Sequence, residues 1–236
     1  MKYGGLSLVG SYHSVNQDCY AARQVTGGYV LAVSDGLGSH IHSQAGSAAL
    51  CTAACELANS LECRLVSQEL FLQKLHELWL DLLAKACLKV KDCRATALIG
   101  VVGEKDLWLF RLGDGFIGAV VDDVVCVMFD DKDEHCINET DCLGSTLELD
   151  LWEFHHFQCQ SFRGIVAGTD GLMLPSAIPP LTDFTREFCM AYRDMDLPAI
   201  LKDIGDWLPK YKGIDDKTLA FIIEDRAKGD EDSGNN

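Results

Sequence analysis

The order of periodicities along this chain predicts an α/β fold of the α+β kind, in which two antiparallel sheets pack face to face and helices cover each outer face. Three observations carry that expectation. Short strand-like runs come first, then a long helical zone, then strands again, then helices and a last strand. The apolar spacing changes from helical intervals between Ser43 and Val90 to short β-branched and aromatic runs between Ala95 and Phe129. The chain has 236 residues, 48% hydrophobic and 24% charged, which suits one globular unit with a large core. The result is a four-layer α/β/β/α sandwich around two central antiparallel sheets.

Tyr3 to Ser11 mixes small, polar and apolar residues and reads as the first strand. The run from Asn16 to Arg23 leads into a second, and Gly27-Gly28 makes a hairpin turn before Tyr29. Tyr29 to Val33 is apolar and β-rich and reads as a buried strand. Ser43 to Leu61 is alanine-rich, with Ala45, Ala49 and Ala53 spaced for close packing on a sheet. Ser67 to Val90 repeats leucines at helical intervals, and Ser67 with Glu69 in the first turn marks its start. Ala95 to Val102, Leu107 to Leu112, Phe116 to Val121 and Val124 to Phe129 read as an antiparallel meander. The acidic stretch from Asp130 to Asp141 has no period and reads as a loop or flap. Leu147 to Phe157 and Gly164 to Gly168 add two strands, and Pro175, Pro179 and Pro180 mark an irregular link. Phe184 to Tyr192 and Pro198 to Leu208 are helical in pattern, and Thr218 to Glu224 is the last strand. Residues 1–224 therefore read as one folded domain, and 225–236 as an acidic, disordered tail.

A net charge of −16 argues against nucleic acid or an anionic membrane as partner, since phosphate backbones need clustered Lys and Arg. The 11 cysteines are scattered, mostly inside apolar segments, and form no CxxC pair, so a zinc ribbon is excluded. No apolar run approaches the ~20 residues of a membrane span, and no leader peptide is recognisable. A reduced, cytoplasmic, monomeric protein is expected.

The chemistry gathers at strand ends. Ser34-Asp35-Gly36-Leu37-Gly38 closes one apolar run, Thr169-Asp170-Gly171 another, and Leu112-Gly113-Asp114-Gly115 a third, while Asp215-Asp216 opens the last. Carboxylates collected in one place repel unless divalent cations sit between them, which points to an oxygen-lined Mg²⁺ or Mn²⁺ site.

Asn16-Gln17-Asp18, Asp35-Gly36-Leu37-Gly38, Ala95-Thr96-Ala97, Gly113-Asp114, Leu143-Gly144, Asp170-Gly171 and Asp215-Asp216-Lys217-Thr218, in this order from about Gly10 to Ile223, resemble the metal-dependent protein phosphatases of type 2C, in their compact bacterial form. The resemblance implies hydrolysis of phosphoserine or phosphothreonine on proteins by a water that two metals activate. It implies that Asp35 bridges both metals, that the carbonyl of Gly36 binds one, and that Asp170 and Asp215 serve the other. Asp18 would orient metal-bound waters, and Asp114 with Asp170 would hold a possible third ion. No organic cofactor is implied. The partner would be a phosphorylated protein, opposite a Ser/Thr kinase.

The chain departs from the family pattern in three places. His13 stands where many relatives carry a phosphate-gripping Arg, Gln17 where a Glu is frequent, and Gly115-Phe116 where Ser-Arg commonly follows Asp114. Histidine offers one bond per nitrogen and titrates near neutrality, so His13 in that role makes phosphate binding weaker and pH-dependent. His40 and His42 offer a proton donor near the metal turn or a packing role. His155 and His156 fall on opposite faces of a strand and cannot share a metal. The acidic flap suggests substrates with basic residues near the phosphate. These departures keep two alternatives open: a pseudophosphatase acting as a binding module, and a phosphatase of small phosphate esters.

Overall fold

The computed structural model describes residues 1–60, 67–129, 140–172 and 181–226. The expectations for 130–139, for Pro175, Pro179 and Pro180, and for most of the tail lie outside the described residues.

Ten strands and four helices follow in chain order: β1 (Lys2–Leu8), β2 (Cys19–Val25), β3 (Gly28–Ser34), α1 (Ser43–Asn59), α2 (Gln68–Lys85), β4 (Ala97–Val102), β5 (Asp106–Leu112), β6 (Phe116–Val121), β7 (Val124–Phe129), β8 (Glu153–Gln158), β9 (Phe162–Gly168), α3 (Leu181–Ala191), α4 (Leu197–Trp207) and β10 (Lys217–Ile223). They build two five-stranded antiparallel sheets, in the orders β1-β10-β9-β6-β7 and β2-β3-β4-β5-β8.

Strand alternation explains the layering. In β3, Val30 and Ala32 face α1 and α2, whereas Leu31 and Val33 face the other sheet. In β10, Leu219, Phe221 and Ile223 pack under α3 and α4, whereas Ala220 and Ile222 meet the opposite sheet. Central strands are thus buried on both faces and read as continuous apolar runs. Three apolar layers separate four structural ones, as expected from the sequence.

The meander is a correction. β4 pairs with β5 and β6 pairs with β7, but β5 and β6 belong to different sheets. At Gly113-Asp114-Gly115 the chain crosses from one sheet to the other, with φ of +83° and +95° at the two glycines. A Cβ on Gly113 would lie 2.3 Å from the carbonyl oxygen of Asp141, and one on Gly115 would lie 2.7 Å from that of Gly168. A hairpin and a sheet-crossing turn use the same glycine chemistry, so the sequence pattern alone does not separate them.

Smaller differences have local causes. The expected helix over Ser67 to Val90 stops at Lys85, where Cys87 takes a positive φ of 57° and a 3-10 turn follows at Val90–Asp92. Ser67 does cap it, accepting the Leu70 N–H at 3.4 Å. The packed face of α1 is Ser43, Gly46, Ser47, Leu50 and Ala53 rather than the Ala45, Ala49, Ala53 line. Gly46 sets that rotation, because a Cβ there would lie 1.9 Å from the Cys93 carbonyl oxygen. Residues Leu149–Leu151 form a 3-10 turn before β8. No described helix is long and apolar enough to cross a membrane.

Candidate active site

Registers place five acidic strand ends at one rim. Cys19 pairs with Ser34, so the start of β2 lies beside the end of β3. Leu219 pairs with Gly168, and Gly168 pairs also with Phe116, which sets the start of β10, the end of β9 and the start of β6 side by side. Ala97 pairs with Leu112, bringing the end of β5 to the same level. Asp18, Asp35, Asp114, Asp170 and Asp215 each lie within three residues of one of these ends, at the mouth between the sheets.

Backbone hydrogen bonds hold the Asp35 turn from both sides. The Asp35 N–H donates to Thr96 Oγ1 at 2.9 Å, and the Thr96 N–H donates to the Asp35 carbonyl at 2.8 Å. The Gly36 N–H donates to the Gln17 carbonyl at 3.1 Å, and Leu37 N–H to that of Arg94 at 3.0 Å. Gly36 is required sterically. A Cβ there would lie 2.6 Å from the Ser43 backbone and 2.8 Å from the Gln17 carbonyl oxygen.

Asp18 accepts from Thr169 Oγ1 at 2.8 Å, and Thr169 Oγ1 in turn accepts the Thr218 N–H at 3.1 Å. Its own N–H donates to Asn16 Oδ1 at 3.0 Å. The second carboxylate oxygen, Oδ1, is buried without a donor. Asp35 lies within hydrogen-bonding reach of Asp18, and when both are ionised they offer each other no proton. Burial first, then the charges of Asp18 and Asp170 and finally Asp215, hold the Asp35 carboxyl well above the usual range. Burial pushes Asp18 up to about 7 against its hydrogen bonds to Thr218, Thr169 and Asp35. Asp170 rises to about 6 through burial and the charges of Asp215 and Asp114. The five carboxylates thus form one electrostatically connected group.

This donor set fits a hard divalent cation. It offers oxygens only, close enough for their charges to act on one another, with one orphaned buried oxygen among them, and oxygen-only ligation is what Mg²⁺ and Mn²⁺ select. Asp35, Asp170 and Asp215 act on one another's charge and, with the Gly36 carbonyl next to Asp35, are the residues that could hold such an ion. Asp114 also accepts a hydrogen bond from Thr140 Oγ1.

Asp216, which sequence reasoning quoted but gave no role, is the structural anchor of the site. It is buried and accepts the Gly10 N–H at 2.6 Å and the Gln17 N–H at 2.7 Å, one on each oxygen. It thereby ties the loop between β1 and β2 to the start of β10. Gly10 makes the approach possible, since a Cβ there would lie 2.2 Å from the Asp215 backbone. The doublet Asp215-Asp216 was the available signal, because neighbouring side chains on an extended chain point oppositely. The Asp216→Ala variant is expected to lose about 3 kcal/mol of stability, since two buried N–H groups would lose a charged acceptor. Urea unfolding measures the loss, and a change below about 1 kcal/mol would contradict it.

His13 Nδ1 stands 3.4 Å from Asp216 Oδ2 and 3.5 Å from Asp215 Oδ1, and Tyr12 packs edge-on against its ring. Nε2 points at the Asp35–Gly38 turn, 3.4 Å from where a Cβ on Gly38 would be. His13, Asp215 and Asp216 lie close enough to share an ion, but both Asp216 oxygens already take backbone N–H groups. The trio therefore reads as a brace that orients the imidazole. His40 Nδ1 meets the Lys91 carbonyl at 2.7 Å, and His42 begins α1 without a side-chain cap. His155 stacks on Phe157 and His156 bonds Asp106 at 3.0 Å, on opposite faces as expected. The described cysteines carry no disulfide.

Residues 11–208 match the family described as protein phosphatase 2C. A bacterial serine phosphatase superposes with a TM-score of 0.69 at 13% identity, covering 95% of this chain and 98% of its own. The serine/threonine phosphatase Stp1 from Staphylococcus aureus gives 0.69 at 12% identity, with 94% of each chain covered. The catalytic domain of the serine/threonine protein phosphatase PstP, in complex with two manganese ions, gives 0.65 at 17% identity, covering 95% and 98%. At these identities the superpositions establish the fold. No curated protein sequence matches the chain.

Proposed function

The chain belongs to the protein phosphatase 2C family, and from that membership we propose that it hydrolyses phosphoserine and phosphothreonine monoesters on proteins. Residues 1–224 would form the catalytic unit, with Asp35, the Gly36 carbonyl, Asp170 and Asp215 holding two Mn²⁺ or Mg²⁺ ions, and Asp114 contributing to a third. The carrying observation is the gathering of five strand-end carboxylates at one rim, with a buried Asp18 oxygen that no donor reaches.

When bound, such cations supply a water that is deprotonated near neutral pH and neutralise charge on the phosphoryl oxygens. The chain's own residues do the rest. Thr169 fixes the Asp18 carboxylate so that its free oxygen can accept from a water entering the site. Asp216 and Asp215 fix the His13 ring so that Nε2 faces the phosphate side of the metal turn. There Nε2 would meet a phosphoryl oxygen in the role for which many relatives use a guanidinium.

The test is hydrolysis of p-nitrophenyl phosphate and a phosphothreonine peptide with Mn²⁺, Mg²⁺ or EDTA, for wild type and Asp170→Ala. Turnover is expected with metal and none with EDTA or with the variant, with the peptide preferred by kcat/KM. A folded protein that turns over neither substrate would establish the pseudophosphatase reading, which the His13 substitution favours. Preference for the small ester would instead assign small phosphate esters.

A further inference from the structure

A polar pocket lies beside the Asp35-Gly36-Leu37 turn. It opens between α2, the segment entering β4 and the chain from Cys142 to Trp152. Its lining includes Arg94, Cys142, Gly144, Ser145, Thr146 and Glu148.

Arg94 is the unusual member. Among the described residues its guanidinium has one hydrogen-bond partner, the Cys142 thiol at 3.5 Å, and no carboxylate. A guanidinium carries five N–H donors and is charged at every physiological pH, so a half-buried one in a protein of net charge −16 would ordinarily be paired. Gly144 leaves room for it, since a Cβ there would lie 3.2 Å from Nη1. Neither the Ser145 nor the Thr146 hydroxyl has a partner among the described residues, so both are available as donors beside Arg94. His76 Nε2 is engaged at 2.8 Å by the Gly144 carbonyl, which fixes the back of the pocket. Glu148, the carboxylate in the lining, forms no ion pair with Arg94.

We propose that this pocket is an oxyanion subsite, built to take a phosphate group through the Arg94 fork with Ser145 and Thr146 as supporting donors. Its position gives it a role. The Arg94 carbonyl accepts the Leu37 N–H, Ala95 bridges to Gly36, and Thr96 Oγ1 accepts the Asp35 N–H. Chain length keeps Arg94 within about 7 Å of Thr96, Cα to Cα. The subsite therefore serves a second phosphate carried by the same substrate near the scissile one, a role that rests on the phosphatase reading, whereas the binding does not. Such a substrate is a multiply phosphorylated segment.

The test separates the two. The full chain in EDTA, with no metal to capture anions, is titrated with inorganic sulfate while the amide resonances of Gly144, Ser145 and Thr146 are followed. Saturable shifts at these three are expected, with Kd raised about tenfold or more in Arg94→Gln. Arg94→Lys, which keeps the charge and loses the fork, is expected to fall between them and decides the matter if the glutamine variant does not fold. Absent saturation, shifts confined to other residues, or equal affinity in wild type and variant overturns the subsite. With Mn²⁺ present, the kcat/KM advantage of a doubly over a singly phosphorylated peptide is expected to vanish in Arg94→Gln; an advantage that persists overturns the substrate role. Sulfate binding in a protein without turnover would leave the subsite standing and remove the phosphatase reading.

Discussion

Asp35→Asn is expected to abolish turnover and, in the same protein, to stabilise the metal-free fold. Both outcomes have one cause. The Asp35 carboxyl is buried and faces the charges of Asp18, Asp170 and Asp215, so its ionised form is costly unless cations share the space. An amide has the same shape, carries no charge, and brings an N–H donor within reach of Asp18, whose buried Oδ1 has none. The metal-free variant should therefore melt higher than wild type above pH 7. On the proposed reading the Asp35 charge would serve both cations, so its loss should lower kcat/KM on the order of 10³-fold, about 4 kcal/mol of transition-state stabilisation. Scanning calorimetry in EDTA and ester hydrolysis in Mn²⁺ check the two halves. A variant that keeps wild-type turnover would remove Asp35 from the metal centre. One that is inactive yet destabilised would show that repulsion is not what the turn stores.

The metal-free protein is expected to lose stability as pH rises from about 4 to about 7, the reverse of ordinary acid denaturation. Asp18 and Asp170 titrate at about 7 and about 6 in the folded chain, and Asp35 also lies well above its unfolded value. Below the unfolded value all three are protonated in both states, and their full contribution to stability is present. As pH rises, the unfolded chain releases protons that the folded one still holds, so this contribution drains away until the folded groups ionise too. Each pKa unit corresponds to about 1.4 kcal/mol, and each kcal/mol to roughly 2–4 °C in a domain of this size. Melting temperatures in EDTA at pH 5, 6, 7 and 8 should fall by several degrees across the series. Added Mn²⁺ should restore them, increasingly so at higher pH, because the cation competes with the protons these carboxyls hold. A flat or rising metal-free series would mean that the carboxylates are less desolvated than their packing implies.

What the sequence determined by itself follows from short-range rules. Strand and helix identity rest on side-chain period, so the Tyr29–Val33 strand, the Ser67 cap and the four-layer order were legible from the chain alone. So were Asp35, Asp114, Asp170 and Asp215, because an acid at the mouth of an apolar run is a local pattern. The tertiary structure decided what depends on distant pairing. Whether Gly113-Asp114-Gly115 closes a hairpin or carries the chain between sheets is set by the partners of β5 and β6, namely β8 and β9. Which acid of the Asp215-Asp216 pair stays partly exposed at the rim and which ties down the Gly10 and Gln17 amides depends on a loop some 200 residues away in sequence. Arg94 carried no signal at all. Its guanidinium becomes informative only once the fold surrounds it with Gly144, Ser145 and Thr146 and brings no carboxylate to it among the described residues. Period and turn chemistry are encoded within a few residues, whereas charge compensation is a property of whatever the folded chain places nearby.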